Sequence, residues 1–111
     1  MRLWAEGRFD LLFSDDTLNE YAEKLIERGF AHTEVMHFIK QVIRLGEEIS
    51  IAFFHLRHYP ADSDDTAFLL VALNGNASHL VTYDGQLQDL GVLYPEFTTC
   101  KPLEFLQALR W

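Results

Sequence analysis

The order of apolar and polar positions along the chain predicts a series of short alternating elements. Phe9-Asp-Leu-Leu-Phe-Ser14 reads as a short buried strand. Ser14 to Asp16 follow with helix-capping side chains, and Thr17 with Glu20 has the spacing of a capping box. Leu18, Tyr21, Ala22, Leu25 and Ile26 recur at helical spacing until Gly29 stops the helix. A second helix is predicted from about Thr33, with Val35, Phe38, Ile39 and Val42 on one face and Gly46 near its end. Ile49 to Leu56 reads as extended. Asp64 or Asp65 stands where a cap is needed for a third helix, Thr66 to Leu73. That helix is apolar nearly all round, which predicts burial on most sides, and Asn74-Gly75-Asn76 supplies left-handed residues to end it. His79 to Thr82 predicts a strand closing at Asp84, and Phe97 to Cys100 a last strand. Pro102 opens a final helix carrying Phe105, Leu106 and Leu109.

Strands alternating with helices, and no two-residue hairpin turn, imply an α/β fold with a mostly parallel sheet. In such sheets ligands gather at the carboxyl ends of the strands. Glu20 follows the first strand, Asp84 ends another, and Asp65 starts a helix entered from a loop. The topology therefore predicts that three acids distant in sequence meet at one edge.

Composition changes the picture in three ways. A length of 111 residues predicts one domain, and 49% hydrophobic with 14% aromatic residues excludes a disordered tail. The apolar run Ala67 to Leu73 is too short to cross a bilayer, the amino terminus lacks the apolar stretch of a signal peptide, and Cys100 is the sole cysteine. These features predict a soluble cytoplasmic protein without an intrachain disulfide and without a membrane partner. The formal net charge of −8 repels a phosphate backbone, unless carboxylates gathered around divalent cations reverse the local field.

The acids have plain structural readings too. Asp62, Asp64 and Asp65 suit a helix start, but one cap needs one carboxylate, and a cation relieves the crowding of three. Asp84-Gly85 is equally a turn. Glu20 lies opposite the apolar stripe at ~100° per residue, which is the position of a solvated acid like Glu23 and Glu27. The five histidines show no His-x-x-x-His pairing and are read as structural or surface residues. Cys100 has no base beside it, and the chain holds neither a glycine-rich phosphate loop nor Gly-x-Ser-x-Gly. A phosphoacceptor receiver domain is excluded: Asp84 lies too close to Lys101 for strand, helix, strand and helix, at ~11 residues per helix and ~5 per strand, to fit between.

Several stretches nonetheless fall in one recognisable order. Leu3-Trp4, Gly7-Arg-Phe-Asp-Leu-Leu-Phe-Ser14, Leu18-Asn-Glu20-Tyr21, Asp62-Ser-Asp-Asp65-Thr-Ala-Phe-Leu-Leu-Val-Ala72, His79-Leu-Val-Thr-Tyr-Asp84 and Cys100-Lys-Pro102-Leu-Glu-Phe-Leu106 together resemble the PIN-domain family, in its branch of toxin components of toxin–antitoxin systems. The resemblance implies a Rossmann-like three-layer α/β/α sandwich and a Mg2+- or Mn2+-dependent ribonuclease acting on single-stranded RNA. It matches Glu20, Asp65 and Asp84 to the second, third and fourth members of the family's metal-binding acidic quartet, with Asp62 as an auxiliary ligand and Thr82 as the orienting hydroxyl. An antitoxin protein is the partner it implies; a second copy in a homodimer is expected because another chain would complete the sheet or site that lacks the family's first strand. The family's first strand, ending in Asp-Thr-Asn with the first metal ligand, has no counterpart in this sequence, so the expectation is a single PIN-like domain over 1–111, incomplete at the amino end. The expected function is an endoribonuclease or a truncated relative of reduced activity; the alternative is a catalytically inactive PIN-like protein-interaction module.

Overall fold

The structure, a computed structural model, describes residues 9–109; Leu3, Trp4, Gly7 and Arg8 of the resemblance lie outside them. The chain forms two compact units, Met1–Ile49 and Ser50–Trp111.

In the first unit a short strand β1 (Leu12–Phe13) pairs in parallel with β2 (Glu47–Glu48), Leu12 opposite Glu47 and Phe13 opposite Glu48. The strand predicted over Phe9–Ser14 is thus confined to two residues, because Ser14 already belongs to a helix start. The Ser14 side chain accepts from the Thr17 amide at 3.3 Å, and the Thr17 hydroxyl oxygen accepts from the Ser14 amide at 2.8 Å. The capping box is therefore Ser14 with Thr17, not Thr17 with Glu20; helix α1 (Asp15–Glu27) starts early enough to put Thr17 in its third position. Gly29, at φ 91°, turns the chain out of α1. Helix α2 (His32–Leu45) follows, with the Glu34 carboxylate accepting from the Ala31 amide at 3.1 Å. Phe13, Leu18 and Val42 are buried between these elements, and Tyr21 meets Phe38 edge-on at 6.0 Å between ring centres. Burial pushes the Tyr21 phenol above its ordinary value.

The second unit opens with an irregular stretch. Ile49 to Leu56, expected to be extended, forms no strand; the second strand of the first pair is Glu47–Glu48 instead. A 3-10 turn (Ser63–Asp65) leads into α3 (Thr66–Asn74), whose Leu69, Leu70, Val71 and Ala72 are all buried, as an all-apolar helix requires. The left-handed residue after it is Asn76, at φ 53°, while Gly75 keeps a negative φ of −92°. Strand β3 (His79–Val81) pairs in parallel with β4 (Thr98–Cys100), and α5 (Pro102–Leu109) closes the unit. Between the strands lies α4 (Gly85–Gly91), a helix that the turn reading of Asp84-Gly85 did not anticipate.

The core of this unit joins Leu56, Leu69, Leu70, Ala72, Leu87, Tyr94 and Phe97. At its edge α4 rides close on β4: a Cβ built on Gly91 would overlap the Thr99 hydroxyl and lie 2.7 Å from the Thr99 Cβ. The Thr99 hydroxyl is itself buried without a hydrogen-bond partner among the described residues. Burial, and then the nearby Glu104 carboxylate, push the Cys100 thiol above its ordinary value, so it is a poor nucleophile at neutral pH. Every strand pairing among the described residues is parallel, in keeping with an α/β protein.

Candidate functional site

Four of the five candidate residues lie in the second unit and fall on two turns. At the first turn the Asp62 carboxylate accepts from the Asp64 amide at 2.9 Å, and the Asp65 amide donates to the Asp62 carbonyl at 3.1 Å. Asp62, rather than Asp64 or Asp65, is therefore the capping acid. Its extended backbone (φ −92°, ψ 117°) lets the side chain fold back, whereas Asp65 is already helical and its carboxylate makes no cap bond. Asp62 and Asp64 are exposed, but Asp65 is 7% exposed and is the one buried acid among the described residues. Three neighbouring carboxylates thus divide between solvent and interior. A carboxylate is costly to bury, so one placed inside calls for compensating contacts.

The second turn ends β3. The Thr82 amide donates to the Cys100 carbonyl at 2.9 Å, carrying the pairing one residue past the strand. The Asp84 amide donates to the Thr82 hydroxyl oxygen at 3.0 Å, and Gln88 donates its side-chain amide to the Thr82 carbonyl at 2.8 Å. Asp84 in turn accepts with Oδ1 from the Gln86 amide at 2.9 Å and from the Leu87 amide at 3.5 Å, capping α4. Thr82 therefore holds the loop that presents Asp84, and Asp84 starts a helix. The residue pattern contained this cap: Asp84, followed by Leu87 and Leu90 at helical spacing, is a start signal as much as a turn.

Glu20 belongs to the first unit. The helical wheel put it with Glu23 and Glu27 on a solvated face, yet it is half-buried where those two are exposed. That unit also holds a cavity of ≈ 470 Å³ lined by Leu25, Phe30, Val35 and Phe38 together with Thr33, Glu34 and His37, none of them a candidate. Of the histidines, His79 pairs through Nδ1 with the Ser78 hydroxyl at 2.8 Å, and the His58 ring lies edge-on to Tyr94.

Sequence reasoning passed over a second set of side chains that fix the loop 51–59. The Asn74 side-chain oxygen accepts from the Ala52 and Phe53 amides at 2.8 and 3.1 Å, and its nitrogen donates to the Phe53 and Leu70 carbonyls. The Tyr94 hydroxyl donates to the His58 carbonyl at 2.6 Å and accepts from the His58 amide at 2.9 Å. Arg57 sits 4.9 Å above the Tyr94 ring and donates to both Glu96 oxygens at 2.8 Å. That guanidinium, ahead of other contributions, holds the Glu96 carboxyl below its ordinary value.

Carboxylates alone suit a hard divalent ion. The grouping is less favourable: among the described residues no three His, Cys, Asp or Glu side chains are gathered so that they could hold a metal ion.

Parallel strand pairs with intervening helices, and acid-bearing turns at helix starts, define a chain of the α/β class. Residues 1–86 match the family model of the PIN domain, and the chain belongs to that family. The family is of nuclease type and generally depends on divalent metal. No curated protein and no solved structure matches the chain significantly. No helix among the described residues is long and apolar enough to cross a membrane.

Proposed function

We propose that the protein is a Mg2+- or Mn2+-dependent endoribonuclease of the PIN type, acting on single-stranded RNA as the toxin component of a toxin–antitoxin pair. In this reading Asp65, Asp84 and Glu20 are the metal-binding and catalytic carboxylates, Asp62 is an auxiliary ligand, and Thr82 orients the turn. The chain is then a single three-layer α/β/α domain that pairs with an antitoxin or with its own copy. The observation that carries it is the family match: it runs to residue 86 and so encloses all five of these residues. Two local features support the reading: Asp65 is buried at a helix start, and the Asp84 amide donates to the Thr82 hydroxyl oxygen. A bound divalent ion supplies charge neutralisation and an activated water to phosphodiester cleavage; this chain's own residues hold and orient the turns that carry the acids.

The test compares wild type with Asp84→Asn and Asp65→Asn on a labelled single-stranded RNA, with Mn2+ and with chelator. Asparagine caps a helix as well as aspartate, so Asp84→Asn removes the charge and keeps the start of α4. The expected result is metal-dependent cleavage in the wild type, and its loss in both variants with melting unchanged for Asp84→Asn. Wild-type protein that leaves RNA intact, and whose melting is indifferent to millimolar Mn2+, would sink the nuclease reading. It would favour a second one, an inactive PIN-like interaction module. What supports that alternative is the structural duty of two of the acids, Asp62 and Asp84, which both cap backbone amides.

A further inference from the structure

The loop between β2 and the acidic turn is the least explained part of the second unit. It is irregular, yet its backbone is held at both ends: Asn74 clamps Ala52 and Phe53, and Tyr94 clamps His58. Leu56 is its buried anchor. The loop spends these contacts on presenting rings outward. Phe53 is 46%, Phe54 66% and Tyr59 57% exposed, and His55 and His58 stand exposed among them. Arg57, with its planar head over Tyr94 and paired with both Glu96 oxygens at 2.8 Å, stays 56% exposed. In a chain with 17 acids, no Asp or Glu occurs between Glu48 and Asp62.

Large apolar rings in water are unfavourable unless something covers them, and a loop fixed by side chains from elsewhere in the unit is not exposing them through looseness. Aromatic faces interleaved with a guanidinium and imidazoles are what single-stranded nucleic acid uses: bases stack on the rings, the run 49–61 contributes no acid, and the Glu96 carboxylate beside it is neutralised by Arg57. A protein partner would more commonly bury such rings in a groove or against a flat apolar core; here they stand on an extended loop with a basic residue between them. We propose that Phe53, Phe54 and Tyr59, with Arg57, form a stacking surface for single-stranded RNA. The identity of the ligand rests on the ribonuclease reading above; the surface itself rests on the loop.

The experiment measures anisotropy of a fluorescein-labelled single-stranded oligoribonucleotide of mixed sequence, titrated with the full chain in chelator so that cleavage does not intervene. Replacing Phe53 and Phe54 together by alanine, which leaves the Asn74 bonds to the backbone in place, is expected to weaken binding by about tenfold or more. Phe54→Trp is expected to bind as wild type does, and Phe54→Leu to bind as weakly as Phe54→Ala, because stacking needs the ring and not merely its apolar area. Val92→Ala, at a position 82% exposed and apart from the loop, is expected to bind as wild type does. No binding by the wild type overturns the proposal, as does an unchanged Kd in the double alanine variant. A fall in solution mass without a change in RNA affinity also overturns it, since the rings would then face a second copy. The two readings part cleanly: RNA binding that depends on Phe53 and Phe54 without any metal-dependent cleavage sinks the nuclease and leaves the surface, while cleavage indifferent to those rings does the reverse.

Discussion

In Met1–Ile49 the side chains that fix the backbone act on their neighbours: Ser14 and Thr17 cap each other, and Glu34 caps Ala31, all across three residues. In Ser50–Trp111 local caps such as Asp62 and Asp84 are joined by locks over distance, with Asn74 holding amides 21 and 22 residues away and Tyr94 one 36 residues away. The cores differ in the same sense. The first unit packs two amphipathic helices around Phe13, Leu18 and Val42; the second buries an apolar helix among residues drawn from Leu56 to Phe97. Local locks form as soon as a helix does, whereas distant ones form only after loop closure has been paid for by a core. The second unit should therefore lose its loop and its packing together, and the first should yield piecemeal.

That contrast can be broken by substitution. Asn74→Ala removes four hydrogen bonds to the loop and to α3, and is expected to cost roughly 2–3 kcal/mol in denaturant unfolding, with faster amide exchange at Ala52 and Phe53. Ser14→Ala removes one local cap and should cost about 1 kcal/mol, with faster exchange confined to the first turn of α1. If Ser14→Ala proved the costlier of the two, the distinction between local and distant locks would fail. The smallest effect belongs to the surface pair Arg57–Glu96. The Glu96 carboxyl is held below its ordinary value of 4.5, so its contribution is present above that value and is lost as pH falls through the lowered one. Glu96→Gln should melt slightly below wild type at neutral pH and coincide with it in strong acid; a gap that widens on acidification would contradict the assignment.

The same contrast explains what could be read from the chain. Both helices of the first unit and the buried helix Thr66–Asn74 follow from periodicity and capping, which are local. The strands were harder. Ile49 to Leu56 has the apolar character of a strand, but Asn74 takes the amides of Ala52 and Phe53, so there is no ladder for it to join. Helix α4 was hidden because Asp84-Gly85 suits a turn and a cap equally, and only the placement of Leu87 in the core separates them. Of the candidate residues, the turns carrying Asp62, Asp65, Thr82 and Asp84 were legible from residue type and order. Which acid caps and which is buried was not, because it depends on whether the backbone at each position is extended or already helical.

The close passage of α4 over β4 ties together two positions, 91 and 99, on neighbouring elements. Residue 91 has no room for a methyl while residue 99 keeps a branched side chain, and that side chain gains nothing from its stranded hydroxyl. Neither position is therefore at liberty to drift alone: a larger residue at one demands a smaller one at the other, and in descendants of this chain the two should change as a pair.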